Sequence, residues 1–154
     1  MIKNLFDKVL VDAIKERIQR LHPGSERLWG TMTLVQTVTH CTSALEMGMG
    51  SIHPKRAAFP ARMIGPMIKP LVLRDDKPLR RNSPSSPELF KNVTSGCDLQ
   101  RERATLITAI DSFTTQGAAG CSRNPHPFFG QLTPQEWAIL MYKHLDHHLR
   151  QFSV

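Results

Sequence analysis

The chain has 154 residues, 40% of them hydrophobic, and a formal net charge of +7. This length is ordinary for one hydrophobic core, so we expect a single domain over residues 1–154. No apolar run is long enough to cross a membrane, and the first residues lack the charged-then-apolar layout of a signal peptide, which predicts a cytoplasmic protein without a membrane partner.

The first predicted helix covers residues 4–21, where apolar side chains recur at helical spacing. The segment His22-Pro23-Gly24 then stops it. The side chains expected to face the core are Phe6, Val9, Leu10, Ala13, Ile14, Ile18 and Leu21.

The second predicted helix begins with a capping-box pattern, Thr33 followed three residues later by Gln36, and continues to the glycines at 48 and 50. His40 lies within its mostly apolar arc. A lone histidine there is more often a hydrogen-bonded core residue than a metal ligand. Cys41 follows it but is turned about 100° away along the helix. We therefore expect a small core residue rather than a ligand or a nucleophile.

The three cysteines, at 41, 97 and 121, are odd in number and widely spaced. They match neither a disulfide framework nor a paired-cysteine zinc site, so they are interpreted as reduced thiols.

Residues 51–96 hold seven of the eleven prolines, and their nine basic against three acidic residues account for +6 of the net charge. We interpret this segment as a crossover connection in which residues 59–73 pack as a proline-broken cover over the core. The alternative is an anion-binding patch, formed by Lys55, Arg56, Arg62, Lys69, Arg74, Lys77, Arg80 and Arg81. The prolines leave no helix long enough to enter a groove of DNA, so we expect no specific nucleic-acid recognition.

The third predicted helix covers residues 97–116, and the last begins with a second capping box, Thr133 with Glu136. In the last helix His144 and His148 are four residues apart and point together into the apolar side, whereas His147 lies near its rim. Burying two imidazoles costs on the order of 1–3 kcal/mol for each unsatisfied polar group. A shared metal ion would satisfy both. The alternative is two core or interface histidines bonded to backbone, water or carboxylates.

Four amphipathic helices without a strand pattern predict an all-α fold, a four-helix bundle with a long proline-rich crossover between helices 2 and 3. Facing helices of a bundle are where such proteins build metal sites. A third ligand is needed for an open zinc-type site, and His40 is the best candidate.

Two segments carry a resemblance to a known family. They are Trp29-Gly-x-Met-x-x-x-Gln-x-x-x-His40, and Leu132-Thr-Pro-Gln-Glu-Trp with Tyr142-Lys-His-Leu-Asp-His-His-Leu-Arg-Gln-Phe152. They resemble an uncharacterised branch of the DinB-like superfamily of metal-binding four-helix bundles. The resemblance implies that His40, His144 and His148 are metal ligands and that His147 is not. The superfamily includes thiol-dependent transferases and isomerases beside members with no assigned reaction.

Two hypotheses for the function follow. In the first, zinc or nickel at the three histidines serves a metal-dependent enzyme acting on a small-molecule or thiol substrate. In the second, the chain is a non-catalytic metal-stabilised bundle or a dimeric interaction module. A homodimer is expected. Gln36 and Gln151 lie one turn from ligand positions and are candidate hydrogen-bond donors to the ligands.

Overall fold

The computed structural model describes residues 1–90 and 98–154. Within these ranges the fold is all-α and contains no strand, only an isolated bridge between His126 and Gly130. Its α-helices are α1 (Lys8–Arg20), α2 (Leu34–Gly48), α3 (Ala61–Leu73), α4 (Leu99–Gln116) and α5 (Pro134–Gln151), with short 3-10 turns at Pro87–Leu89 and Gly117–Gly120. None of the described helices is long and apolar enough to span a bilayer. Cys97 and the start of the predicted third helix lie outside the described residues.

Side-chain caps define where the helices begin. Both predicted capping boxes are present, because the Thr33 and Thr133 hydroxyls accept from the third helical N–H while the side chains at that position accept in return. Aspartates cap the other two long helices, Asp7 for α1 and Asp98 for α4. These bonds satisfy N–H groups that have no partner within the helix, which fixes the register of each helix.

Helix α2 lies at the centre of the packing, against α4 and α5, and α1 packs against the same two helices. Helical spacing predicts a core stripe for α4 of Leu99, Leu106, Ile107, Ile110 and Phe113. Leu106, Ile110 and Phe113 are buried, and Leu99 and Ile107 are partly buried. The stripe predicted for the first helix is partly wrong, because α1 begins at Lys8 and Val9 is 76% exposed. Because Asp7 caps the helix and α1 begins at Lys8, Val11 is buried in place of Val9.

Residues 61–73 form a 13-residue α-helix, so the prediction that the prolines leave no long helix in this segment was wrong. Pro66 and Pro70 lie inside α3 and are exposed. Proline removes a helical hydrogen bond, and solvent can replace the lost partner on an outward face. The prediction of a cover over the core was partly wrong: Leu73 is buried and Val72 packs on the core, but Met63, Met67 and Leu71 are exposed.

Candidate metal centre

Three imidazoles from two helices meet between α2 and α5. The ring nitrogens offered by His40, His144 and His148 all lie within 4.8 Å of one another, and the Nε2 atoms of His40 and His144 are 3.0 Å apart. His40 is 2% exposed and His148 7% exposed, whereas His144 is partly exposed. The spacing of four residues on α5 therefore brings the pair together as the sequence predicts, and α2 supplies the third imidazole.

Hydrogen bonds fix the proton positions of two of these rings. His40 Nδ1 lies 3.3 Å from the carbonyl oxygen of Leu89, and His148 Nδ1 lies 2.9 Å from Oε1 of Gln151. Both partners are acceptors, so each Nδ1 carries the proton and donates it. The Nε2 lone pairs of His40 and His148 are then left available to the centre of the cluster. Because His40 Nε2 is unprotonated in this tautomer, His144 Nε2 donates to it at 3.0 Å.

Gln151 connects this cluster to the chain before α2. Its Nε2 donates to the carbonyl oxygen of Trp29 at 2.7 Å, which orients the amide so that Oε1 faces His148. Gly30 makes this close approach possible, because a Cβ at that position would stand 2.6 Å from Gln151 Nε2. The sequence predicted Gln151 beside a ligand as a hydrogen-bond donor, but toward His148 its side chain is the acceptor. Gln36, in contrast, uses its side chain to accept from Thr33 N–H in the capping box.

The electrostatics keep the three imidazoles neutral. Burial lowers the pKa of His40 to about 4 and that of His148 to about 3, and the neighbouring His40 adds to the second shift. Burial, followed by the charges of His148 and His40, holds the pKa of His144 well below its ordinary value. Neutral imidazole is the form that binds metal. The cluster therefore needs no deprotonation step at neutral pH.

The donor set fits a divalent transition metal. Three imidazoles, of which that of His144 is partly exposed, match an open site with three protein ligands. Zinc-to-nitrogen bonds of about 2.0–2.1 Å in tetrahedral geometry place two ligand nitrogens about 3.3 Å apart. The 3.0 Å between the Nε2 atoms of His40 and His144 is close to this distance. For His144 to bind through Nε2, its proton must lie on Nδ1.

The surroundings of the cluster include residues that sequence reasoning missed. Phe90 stacks on the His40 ring with centroids 5.0 Å apart. The residue before it, Leu89, accepts the hydrogen bond from the same ring. Trp29 contacts His147 edge to face. The Arg81 guanidinium lies over the Trp29 ring, with its Cζ 4.0 Å from the ring centroid. Trp29 and its following glycine belong to a motif visible in the sequence, but nothing in the pattern indicated a role at the site.

His147 lies outside the ligand group. Its ring centroid is 5.1 Å from that of His148, and its ring packs edge to face on Trp29. Among the described residues, the set of histidines that could hold one ion is formed without it. Its position at the rim of α5 therefore agrees with the expectation that it is not a ligand.

Cys41 follows a ligand position but takes no part in the site. Its side chain is 4% exposed, and burial raises the pKa of its thiol far above the ordinary value. A thiol in this state is a poor nucleophile. The prediction that Cys41 fills the core is confirmed.

The sequence profile of one family, described as "Protein of unknown function (DUF1569)", matches residues 4–154. The chain belongs to this family. It is also similar to the "Uncharacterized protein YuaE" of Bacillus subtilis (strain 168), with 32% identity over 89 residues. That match covers 55% of the chain and 54% of the relative, so the chain spans about half the length of the relative it matches. No solved structure matches the chain significantly.

Proposed function

We propose that this protein binds one divalent metal ion, zinc or nickel, through His40, His144 and His148. The observation that carries the proposal is the clustering of the three histidines, whose ligand nitrogens lie within 4.8 Å of one another. Leu89 O and Gln151 Oε1 hold two of the rings through Nδ1, which leaves Nε2 of each as the nitrogen that can bind. Partners of this kind orient histidines at metal sites and raise their basicity as ligands. Imidazole suits both metals, so the ligand set itself does not choose between them.

We further propose that the fold is a DinB-like four-helix bundle. Helices α1, α2, α4 and α5 pack on one another, and the long proline-rich connection runs between the second and third of these. The ligand positions on α2 and α5 agree with those that the resemblance implies. This arrangement supports the superfamily assignment on grounds separate from the sequence motif.

The enzymatic form of the proposal is a metal-dependent transferase or isomerase acting on a small thiol. A bound divalent ion would act there as a Lewis acid and lower the pKa of a thiol or water. The chain's own residues would position and shield the site. Leu89 and Gln151 hold two rings, Phe90 covers the His40 ring, and the partly exposed His144 marks the side open to a substrate.

A second candidate function is a non-catalytic metal site that stabilises the bundle. The burial of His40 and His148 favours it, because a sealed ion exchanges ligands poorly. The two candidates differ in whether an added ligand can reach the metal.

Elemental analysis of protein purified without chelator tests the metal site. We expect about one equivalent of metal per chain in the wild type, loss in His144→Ala, and retention in the matched control His147→Ala. Equal occupancy in all three would refute the site.

Cobalt substitution then separates the two functions. An added small thiol should produce a sulfur-to-cobalt absorption band if the metal is open to substrate. An unchanged spectrum would refute the enzymatic form and leave the structural one.

A further inference from the structure

Helix α3 has its apolar side on the outside of the molecule. Phe59 (77% exposed), Met63 (59%), Ile64 (47%), Met67 (76%) and Leu71 (56%) form a continuous surface that we name the apolar ridge. At about 100° per residue, Met63, Met67 and Leu71 follow one another along the same face of the helix. Exposed apolar patches of this kind mark interaction sites on folded proteins.

Specific polar contacts hold α3 in this orientation. On its inner face Gly65 packs directly against the Phe128 carbonyl, so close that no larger side chain fits without a shift. Lys69 donates to the Gln131 carbonyl oxygen at 3.0 Å and pairs with Glu136 at 2.9 Å.

The C-terminal end of α3 is fixed as well. The buried Lys143 of α5 donates to the carbonyl oxygens of Val72 and Asp75, at 2.6 and 2.8 Å. A cation at these carbonyls stabilises a helix C-terminus. Turning the ridge inward would break the contacts of both lysines, so its exposure is a property of the fold.

The segment that carries the ridge is basic. Residues 51–74 contain no Asp or Glu, and their basic residues are Lys55, Arg56, Arg62, Lys69 and Arg74. The acids in contact with this segment or next to it have partners within the chain: Glu136 pairs with Lys69, Glu88 accepts from Lys55 N–H at 3.2 Å, and Asp75 pairs with Lys77 at 3.5 Å. Arg62 lies in α3 and Arg74 directly follows it, and both are exposed, so a negatively charged partner would complement them.

We propose that the apolar ridge attaches the protein to the surface of an anionic lipid bilayer. Shallow insertion of apolar side chains combined with basic residues that contact lipid head groups is how interfacial helices bind. A second copy of the chain fits less well, because pairing two ridges would bring Arg62 and Arg74 against the same cations without a carboxylate to match.

The prolines limit the depth of insertion. Pro66 and Pro70 have no N–H, so the carbonyl oxygens of Arg62 and Pro66 lack their helical donors. Unpaired carbonyls are costly in hydrocarbon but are satisfied by water at the level of the head groups. The ridge thus lies in the interface and does not cross it. The sequence predicted no membrane partner because it has no segment that could cross a bilayer. Binding to a bilayer surface does not require such a segment.

Vesicle co-sedimentation tests the proposal. The wild type should bind vesicles containing phosphatidylglycerol and show little binding to pure phosphatidylcholine, with binding reduced by salt. Met63→Ser/Met67→Ser/Leu71→Ser should lower binding by about tenfold or more. Val9→Ser, which removes an equally exposed apolar side chain from α1, should leave binding unchanged.

The metal-free variant His144→Ala should bind the vesicles like the wild type, so failure of the metal proposal would not be confused with failure of this one. Circular dichroism and metal content identical to wild type would show that the triple variant is folded. If it fails this check, Arg62→Gln/Arg74→Gln, which leaves the ridge intact, should weaken binding to anionic vesicles alone.

Three results would overturn the proposal. They are no binding of the wild type to anionic vesicles, equal binding by the folded triple variant, and a wild-type dimer that the triple variant converts to monomer.

Discussion

Removing the side chain of Gln151 should weaken metal binding although Gln151 is not a ligand. In Gln151→Ala the His148 Nδ1–H loses its acceptor, and the Trp29 carbonyl loses its donor. The His148 ring is then free to rotate and is no longer polarised as a ligand. Loss of such a partner lowers metal affinity about 10–100-fold, which is about 1.4–2.7 kcal/mol.

The same substitution should also destabilise the metal-free protein. The substitution would leave the buried His148 Nδ1–H without its acceptor and the part-buried Trp29 carbonyl without its donor. Each unsatisfied group costs about 1–3 kcal/mol. We therefore expect the free energy of unfolding to fall by about 2 kcal/mol or more.

Gln151→Glu separates the two effects. A carboxylate still accepts from His148 Nδ1–H, so metal affinity should be kept or raised, while the donor to the Trp29 carbonyl is lost. Gln36→Ala is the matched control, since Gln36 lies one turn before His40 and its side chain accepts from Thr33 N–H in the capping box. It should lower stability slightly and leave metal affinity unchanged.

Metal affinity is measured by competition with a chromophoric chelator, and stability by denaturant unfolding of the chelated protein. Metal affinity in Gln151→Ala equal to that of the wild type would refute the role assigned to the amide. A loss of affinity in Gln36→Ala as large as in Gln151→Ala would show that helix stability, and not ring orientation, controls binding.

Three further predictions concern backbone approach and protonation. Gly30→Ala should displace the Gln151 amide and lower metal affinity in the competition assay, although neither residue is a ligand. Gly65→Ala should destabilise the protein by about 1–3 kcal/mol in urea unfolding, because the added methyl overpacks the contact of α3 with the body. The folded-state pKa values of His40 and His148, about 4 and about 3, lie below the unfolded value of about 6.5. The unfolded chain therefore binds more protons than the folded chain below pH 6.5. The free energy of unfolding of the chelated protein should fall by up to about 1.4 kcal/mol per pH unit for each of the two histidines as the pH falls toward 4. A free energy of unfolding that stays constant from pH 7 to pH 5 would contradict the burial of neutral imidazoles.

The sequence predicted the features that depend on local patterns. The capping boxes at Thr33 and Thr133 set the start of α2 and α5, and helical periodicity then placed His144 and His148 on one side. The meeting of His40 with this pair is a tertiary contact, which periodicity alone does not determine. The family resemblance supplied that link.

The features that the sequence did not predict depend on distances between remote segments. Apolar residues in α3 suggested burial, but Gly65 against Phe128 and the pair Lys69–Glu136 turn that side outward. Proline content suggested a broken chain, yet Pro66 and Pro70 lie where solvent can replace the missing hydrogen bonds. No local sequence pattern predicts which distant residue a glycine or lysine contacts in the folded protein.

Whether folding depends on metal distinguishes the two functions. The imidazoles of the cluster have hydrogen-bond partners within the protein, in Leu89 O, Gln151 Oε1 and the bond between His40 and His144. The core around Trp137 and Phe113 is formed by buried apolar side chains of α1, α2, α4 and α5. Folding should therefore not require metal, and chelation should leave the helical circular dichroism intact. A metal needed only for structure would instead cause unfolding when it is removed, as in small zinc domains. A centre that is formed in advance and dispensable for folding is what a metal-dependent enzyme needs, and a chelated protein that unfolds would favour the structural function.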